Sequence, residues 1–104
     1  MLLIEETNIQ LAYHDSALIT VYLYIGGSAY ELSNNETAYF KVTQNLPEPI
    51  LLKECTKETA SKLLIEITHE DSILFNVGQY YYDLYVINDT DQYTIIRNGS
   101  FQVF

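Results

Sequence analysis

Residues 78–87 read Gly78-Gln79-Tyr80-Tyr81-Tyr82-Asp83-Leu84-Tyr85-Val86-Ile87, and this stretch decides the fold class. Tyr, Val and Ile suit a pleated, half-buried surface. Successive side chains of a strand point to opposite faces. Tyr80, Tyr82, Leu84 and Val86 therefore share one face, and Tyr81, Asp83, Tyr85 and Ile87 share the other. The pattern predicts the strongest strand of the chain over residues 79–87. One of its two tyrosine faces must be core, and the alternation alone does not say which.

Outward from this stretch the same grammar repeats. Residues 37–43 set Ala38, Phe40 and Val42 against Tyr39, Lys41 and Thr43, a half-buried strand. Leu63, Ile65 and Ile67 oppose Leu64 and Glu66. Residues 17–25 set Ile19, Val21, Leu23 and Ile25, apolar enough for core, against Leu18, Thr20, Tyr22 and Tyr24. Gly26-Gly27 then signals a hairpin, with the strand resuming over 29–32. Leu2 to Glu5 is a short apolar opening, a further short strand is expected at 50–55, and Pro47 and Pro49 mark a loop between elements. Residues 88–92 form a tight turn, and 93–104 close the chain with a bulge near Asn98-Gly99. Residues 57–62 read as a loop or the start of a strand. The one helical segment is a short turn near 69–75, with Thr68 or His69 as cap and acids in the first turn. Turn signals recur every 8–12 residues and no crossover helix exists, which favours a sandwich or small barrel in one domain over residues 1–104.

Gly78, Tyr80 and Tyr82 sharpen this. The start of their strand resembles strand F of an immunoglobulin-like sandwich, where a tyrosine bonds back across a corner and the residue two positions on is often Cys. Tyr80 takes the corner and Tyr82 the Cys position. One Cys and no Trp separate the chain from antibody-type domains and leave the architecture intact. The expectation is all-β: an immunoglobulin-like antiparallel β-sandwich of about seven or eight strands.

Composition excludes several functions. The 104 residues carry fourteen acids against five bases, a net charge of −9. Such a surface repels nucleic-acid phosphates and anionic membranes, and favours partners with basic surfaces. No apolar run approaches a transmembrane span. The single Cys55 rules out an internal disulfide, fits folding in a reducing compartment, and reads as a small buried core residue. The N-terminus lacks the basic opening and long apolar run of a signal peptide.

Candidate chemistry is sparse. His14-Asp15 and His69-Glu70-Asp71 are the only His–acid neighbourhoods, and adjacent strand residues point apart, so neither is a ready metal or acid–base site. Glu5-Glu6 and Asp89 with Asp91 lack the spacing of a calcium loop and read as solvated turn acids. Asn35, Asn88 and Asn98 begin Asn-x-Ser/Thr sequons, but each falls in an expected turn, where Asn is favoured anyway. There is no phosphate loop, nucleophile elbow or paired catalytic carboxylate, and the expectation is no catalytic, cofactor or metal residues and no enzyme. The tyrosines remain. Tyr22, Tyr24, Tyr81 and Tyr85 are the candidate interaction residues, read either as an exposed aromatic interface or as cross-strand pairs stabilising a solvated face.

From Tyr30 onward the chain also resembles small immunoglobulin-like proteins of phages and prophages of Gram-positive bacteria, similar to the N-terminal domain of upper baseplate proteins. The matching pieces are Tyr30-Glu31-Leu32, Ala38-Tyr39-Phe40-Lys41-Val42, residues 63–68 with Glu70-Asp71, Gly78 to Leu84, Tyr93-Thr94-Ile95-Ile96 and Ser100-Phe101-Gln102-Val103. Asp91 or Gln92 stands where that family usually has Gly. The resemblance implies a virion structural protein of the tail or baseplate region, made in the host cytoplasm and ending in the particle. Its partners would be other virion proteins or further copies of itself, and no catalytic residue is carried over. The alternative is a bacterial immunoglobulin-like module binding carbohydrate or a cell-surface protein, which would carry its tyrosines on loops.

Overall fold

The computed structural model describes residues 2–5, 7–44 and 48–104, and at residues 2–5 and Ile25 it describes the backbone. Pro47, expected in a loop, lies outside the described residues. Eleven strands follow in chain order: β1 (Leu2–Glu5), β2 (Asn8–Leu11), β3 (Ala17–Tyr22), β4 (Tyr24–Ile25), β5 (Ser28–Ala29), β6 (Thr37–Thr43), β7 (Leu51–Glu54), β8 (Thr56–Thr59), β9 (Lys62–Ile67), β10 (Gly78–Ile87) and β11 (Gln92–Val103). One helical turn, α1 (His69–Ser72), lies between β9 and β10. The first sheet runs β1-β2-β11-β10-β6-β7 and the second β3-β9-β8, with β4-β5 as a separate hairpin. This is the all-β sandwich the sequence predicts, with one departure from antiparallel pairing. β2 lies parallel to β11, Ile9 beside Phe101 and Leu11 beside Val103.

The strand count exceeds seven or eight because residues 17–25 break in two, and β2 and β8 add strands that the alternation does not mark. Residues 17–25 break at Leu23, whose N–H donates to Ser61 O and whose carbonyl accepts from Tyr30 N–H. The chain thus leaves β3 for the β4-β5 hairpin, where Gly26 and Gly27 take φ of 59° and 83°. Those left-handed values are what a two-residue hairpin turn needs. The expected strand at 29–32 shrinks to Ser28–Ala29. Residues 50–55 stop at Cys55, whose N–H donates to Ala38 O. Beyond it the chain crosses to the second sheet as β8, so residues 57–59 are strand and 60–61 turn.

The core follows the alternation. Ala38, Phe40 and Val42 of β6, Leu63, Ile65 and Ile67 of β9, and Tyr80, Tyr82, Leu84 and Val86 of β10 are buried. The Tyr80–Tyr82 face is therefore core and the Tyr81–Tyr85 face is outside. Each fully buried large apolar side chain contributes about 1.5–3 kcal/mol. An aromatic chain spans the interior, with Phe75 5.1 Å from Tyr80 and 5.3 Å from Phe101, and Phe40 6.1 Å from Phe101 and 5.2 Å from Tyr82.

The corner forms as expected: Tyr80 Oη accepts from Asn76 N–H at 2.9 Å. Thr68 caps α1 by accepting from Asp71 N–H, and Asp71 accepts in return from Thr68 N–H. Lys53 Nζ reaches the same carboxylate at 2.8 Å and ties β7 to the helix. The expected bulge is also present. Tyr82 faces Gly99 and Leu84 faces Ile96, so Arg97 and Asn98 oppose Asp83 alone. Asn98 takes φ 53°, and its N–H donates to Asp83 Oδ1 at 2.8 Å.

Candidate functional site

The two sheets are closed unevenly. β3 is the outer strand of its sheet, with β9 on one side and no partner on the other among the described residues. β11 pairs with β2 from Phe101 to Val103, and its first half has no partner on that side among the described residues. Between these two free edges opens a cleft of about 410 Å³, lined by Val21, Leu23, Tyr24, Tyr30, Tyr93 and Ile96 among others. Val21, Tyr30, Tyr93 and Ile96 pack on the core yet remain half-buried. Beneath lies a second cavity of about 260 Å³ that reaches Ile19, Phe40, Tyr82 and Leu84. On this side the apolar interior is incompletely covered.

A polar lock holds one end of the cleft. Tyr30 and Tyr93 hydroxyls lie 3.0 Å apart, and Tyr93 Oη donates to the Glu36 carboxylate. Glu36 is buried, at 7% exposure. It accepts from Ser33 N–H at 2.9 Å and Ser33 Oγ at 2.7 Å. Those donors, the Ser33 N–H first and then the Ser33 and Tyr93 hydroxyls, hold its carboxyl below the usual range. Burial first, and the adjacent carboxylate second, push the Tyr93 phenol far up. Glu36 thus stays an anion and Tyr93 a donor, and Lys57 Nζ donates to Glu36 O at 2.7 Å. These groups satisfy one another and set the tyrosine wall rigidly. Tyr30, Glu36 and Tyr93 were not among the sequence candidates; they are 57 and 63 residues apart and no local pattern links them.

The four candidate tyrosines fall on two surfaces that the fold does not bring together. Tyr22 and Tyr24 stand beside the cleft, 59% and 64% exposed. Lys62 Nζ sits 5.5 Å above the Tyr22 ring and pairs with Glu58 at 2.9 Å. Tyr81 is exposed and Tyr85 half-buried on the outer face of the first sheet. Tyr85 stacks on Tyr39 at 5.7 Å, in register across β10 and β6, with Lys41 Nζ 5.7 Å from its ring centroid. For Tyr85 the geometry is that of a cross-strand pair. Of the expected corner residues, Gly78 opens β10, Tyr80 makes the bond to Asn76 N–H, and Tyr82 is buried in the core.

The remaining candidates separate clearly. The fold brings together two histidines that the sequence keeps apart. His14 and His69 rings lie 6.3 Å apart, with His69 Nδ1 3.2 Å from His14 O. Among the described residues no group of three or more His, Cys, Asp or Glu is placed to hold a metal ion. Of the acidic clusters, Glu6 lies outside the described residues, and Asp89 and Asp91 sit in a turn whose Asn88 side chain accepts from Thr90 and Asp91 N–H. Asn35, Asn88 and Asn98 all occupy turns or the bulge. Cys55 is buried, and burial, with Glu54 second, pushes its thiol up to about 12. It is therefore a protonated core residue at neutral pH. Among the described residues no helix is long and apolar enough to cross a membrane. No protein-family model and no curated protein matches the chain.

Proposed function

We propose that this chain is a non-enzymatic structural module of a phage or prophage particle, in the tail or baseplate region, that works by docking on other virion proteins. The observation that carries the docking role is the open side of the sandwich. There an apolar cleft is walled in part by Tyr30 and Tyr93, whose hydroxyls are consumed in holding one another and Glu36. A rigid, half-covered apolar surface suits association. The polar groups nearest it are locked rather than poised for proton transfer, and the one thiol is buried. The virion assignment draws on the resemblance running from Tyr30 to Val103, whose Gly78–Leu84 segment opens β10 and supplies the corner tyrosine. The net charge of −9 favours partners with basic surfaces over like-charged copies.

Particles purified after induction of a host carrying the gene provide the test. Mass spectrometry is expected to find the chain in fixed ratio to tail proteins. A chain left wholly in the soluble lysate, with particles complete without it, would overturn the proposal.

A further inference from the structure

We infer that the free edge of β3 is a strand-addition site. It takes an extended segment of another virion protein, with apolar side chains at alternate positions and Lys or Arg at its ends. The inference rests on the docking role proposed above and names its chemistry.

The backbone supplies the first argument. Leu23 N–H bonds to Ser61 O, one residue before β9. In an antiparallel ladder the bonded pairs recur at every second residue. Val21 and Ile19 therefore turn their amides to β9, in register with Leu63 and Ile65, while Leu18, Thr20 and Tyr22 turn theirs away from the sheet. A row of unpaired backbone groups is a template for another strand, and alternate pockets beside it select side chains.

The cleft supplies those pockets. A strand added at the usual spacing of ~4.8 Å from β3 would run along the gap between the two free edges. Every second side chain would point inward, about 6.7 Å apart. These would meet Val21 and Leu23 on one wall and Tyr93 and Ile96 on the other. Such residues would complete the cover over four apolar side chains that the fold leaves half-buried.

Charge identifies the occupant. Lys41, Lys53 and Lys62 are paired with Asp83, Asp71 and Glu58, and Lys57 is held by the carbonyls of Ser33 and Glu36. Exposed acids neighbour the cleft-lining residues along the chain or the edge strand across the sheet: Glu31 follows Tyr30, Asp89 and Asp91 precede Tyr93, and Glu66 pairs with Leu18. Two cations stand against these acids: Lys62, already engaged by Glu58, and Arg97, next to Ile96. A second copy of the chain would bring its own −9 to a surface that already carries −9. A segment with basic ends meets attraction there instead.

The test uses a panel of short peptides in which Thr alternates with Val, Ile, Leu or Phe between Lys-Lys ends. Hydrogen exchange read by NMR should show the Leu18, Thr20 and Tyr22 amides slowed at least about tenfold at saturation. Thr20→Pro, which removes an edge N–H, should abolish binding while melting shows the fold intact; Thr20→Val, which keeps it, should bind as the parent does. Peptides with Glu in place of Lys should bind about tenfold more weakly at low salt. Three results each overturn the inference: no binding by any member of the panel, binding that leaves the three amides unprotected, or protection of those amides by self-association without peptide. Capture of peptide by a chain absent from particles would sink the virion role and leave the edge site. Incorporation into particles without peptide capture would sink the edge site alone.

Discussion

The ring of Tyr82 occupies the space that a side chain at residue 99 would need. A Cβ added to Gly99 would lie 2.5 Å from Tyr82 Cε1 and 2.6 Å from Cζ. The two residues face each other across β10 and β11. The ring is not free to swing aside, because its hydroxyl donates to Thr7 O at 2.6 Å and Phe40 packs 5.2 Å away. Where an antibody-type domain places a disulfide, this chain places a tyrosine that reaches across the sheet to the segment before β2. Gly99→Ala should therefore cost about 2 kcal/mol, within the usual range for overpacking. Urea denaturation is expected to show a lower midpoint at unchanged slope. In a Tyr82→Leu background the same change should cost less than half as much, and an equal cost in both backgrounds would refute the coupling.

The corner hydrogen bond predicts a smaller loss. Tyr80→Phe keeps the buried ring and deletes the acceptor for Asn76 N–H. A single bond of this kind is worth about 1 kcal/mol. Urea denaturation should show that loss, and the Asn76 amide should exchange faster with solvent. An unchanged Asn76 amide would mean that the bond does not hold the corner closed in solution.

Acid should loosen the fold through two carboxylates. Glu36 is held below its ordinary value of 4.5 by Ser33 and Tyr93. Burial works against the ionisation of Asp71, but Lys53 and Thr68 together outweigh it and hold its carboxyl below 3.8. A depressed folded pKa means that the unfolded chain binds more protons in acid. This stability is present above the ordinary values and is lost as pH falls below them toward the folded ones. Glu36→Gln should be less stable than the parent at pH 7, yet lose less on acidification. Parallel urea titrations from neutral pH to below pH 3 check this, and identical pH slopes would contradict it.

Cys55 should be silent in the native protein. Its thiol is buried and pushed up to about 12, so the thiolate that reacts is scarce. A chromogenic disulfide reagent at pH 8 should label it at the rate of unfolding, and at once in denaturant. Fast labelling of folded protein would show that Cys55 is reached by local opening.

Much of this architecture is legible in the chain because alternation is a local signal. Thr37–Thr43 and Lys62–Ile67 bury the residues that their period of two predicts, and Thr68 caps the turn that its acids announce. The breaks at Leu23 and Cys55 are not legible, since each depends on a backbone partner far away in sequence, Ser61 and Ala38. The same holds for the site. Tyr22 and Tyr24 can be read as outward from their strand, but the cleft beside them exists because β3 and the first half of β11 each lack a partner on one side among the described residues. The Glu36–Tyr93 contact and the meeting of His14 with His69 are likewise products of topology, carried by no spacing in the chain.

The parallel seam between β2 and β11 has a consequence for the order of events during synthesis. β1 flanks β2 on one side, but on the other Ile9 and Leu11 find their neighbours in Phe101 and Val103, and Leu11 O waits for Phe104 N–H. Most of the chain must therefore be made before that sheet can take in its early strand. Contacts so distant along the chain belong to slow folders, on the millisecond-to-second scale. A nascent chain halted before Phe101 would hold an unzipped β2 beside a half-built core, a species inviting capture by chaperones or by neighbouring strands.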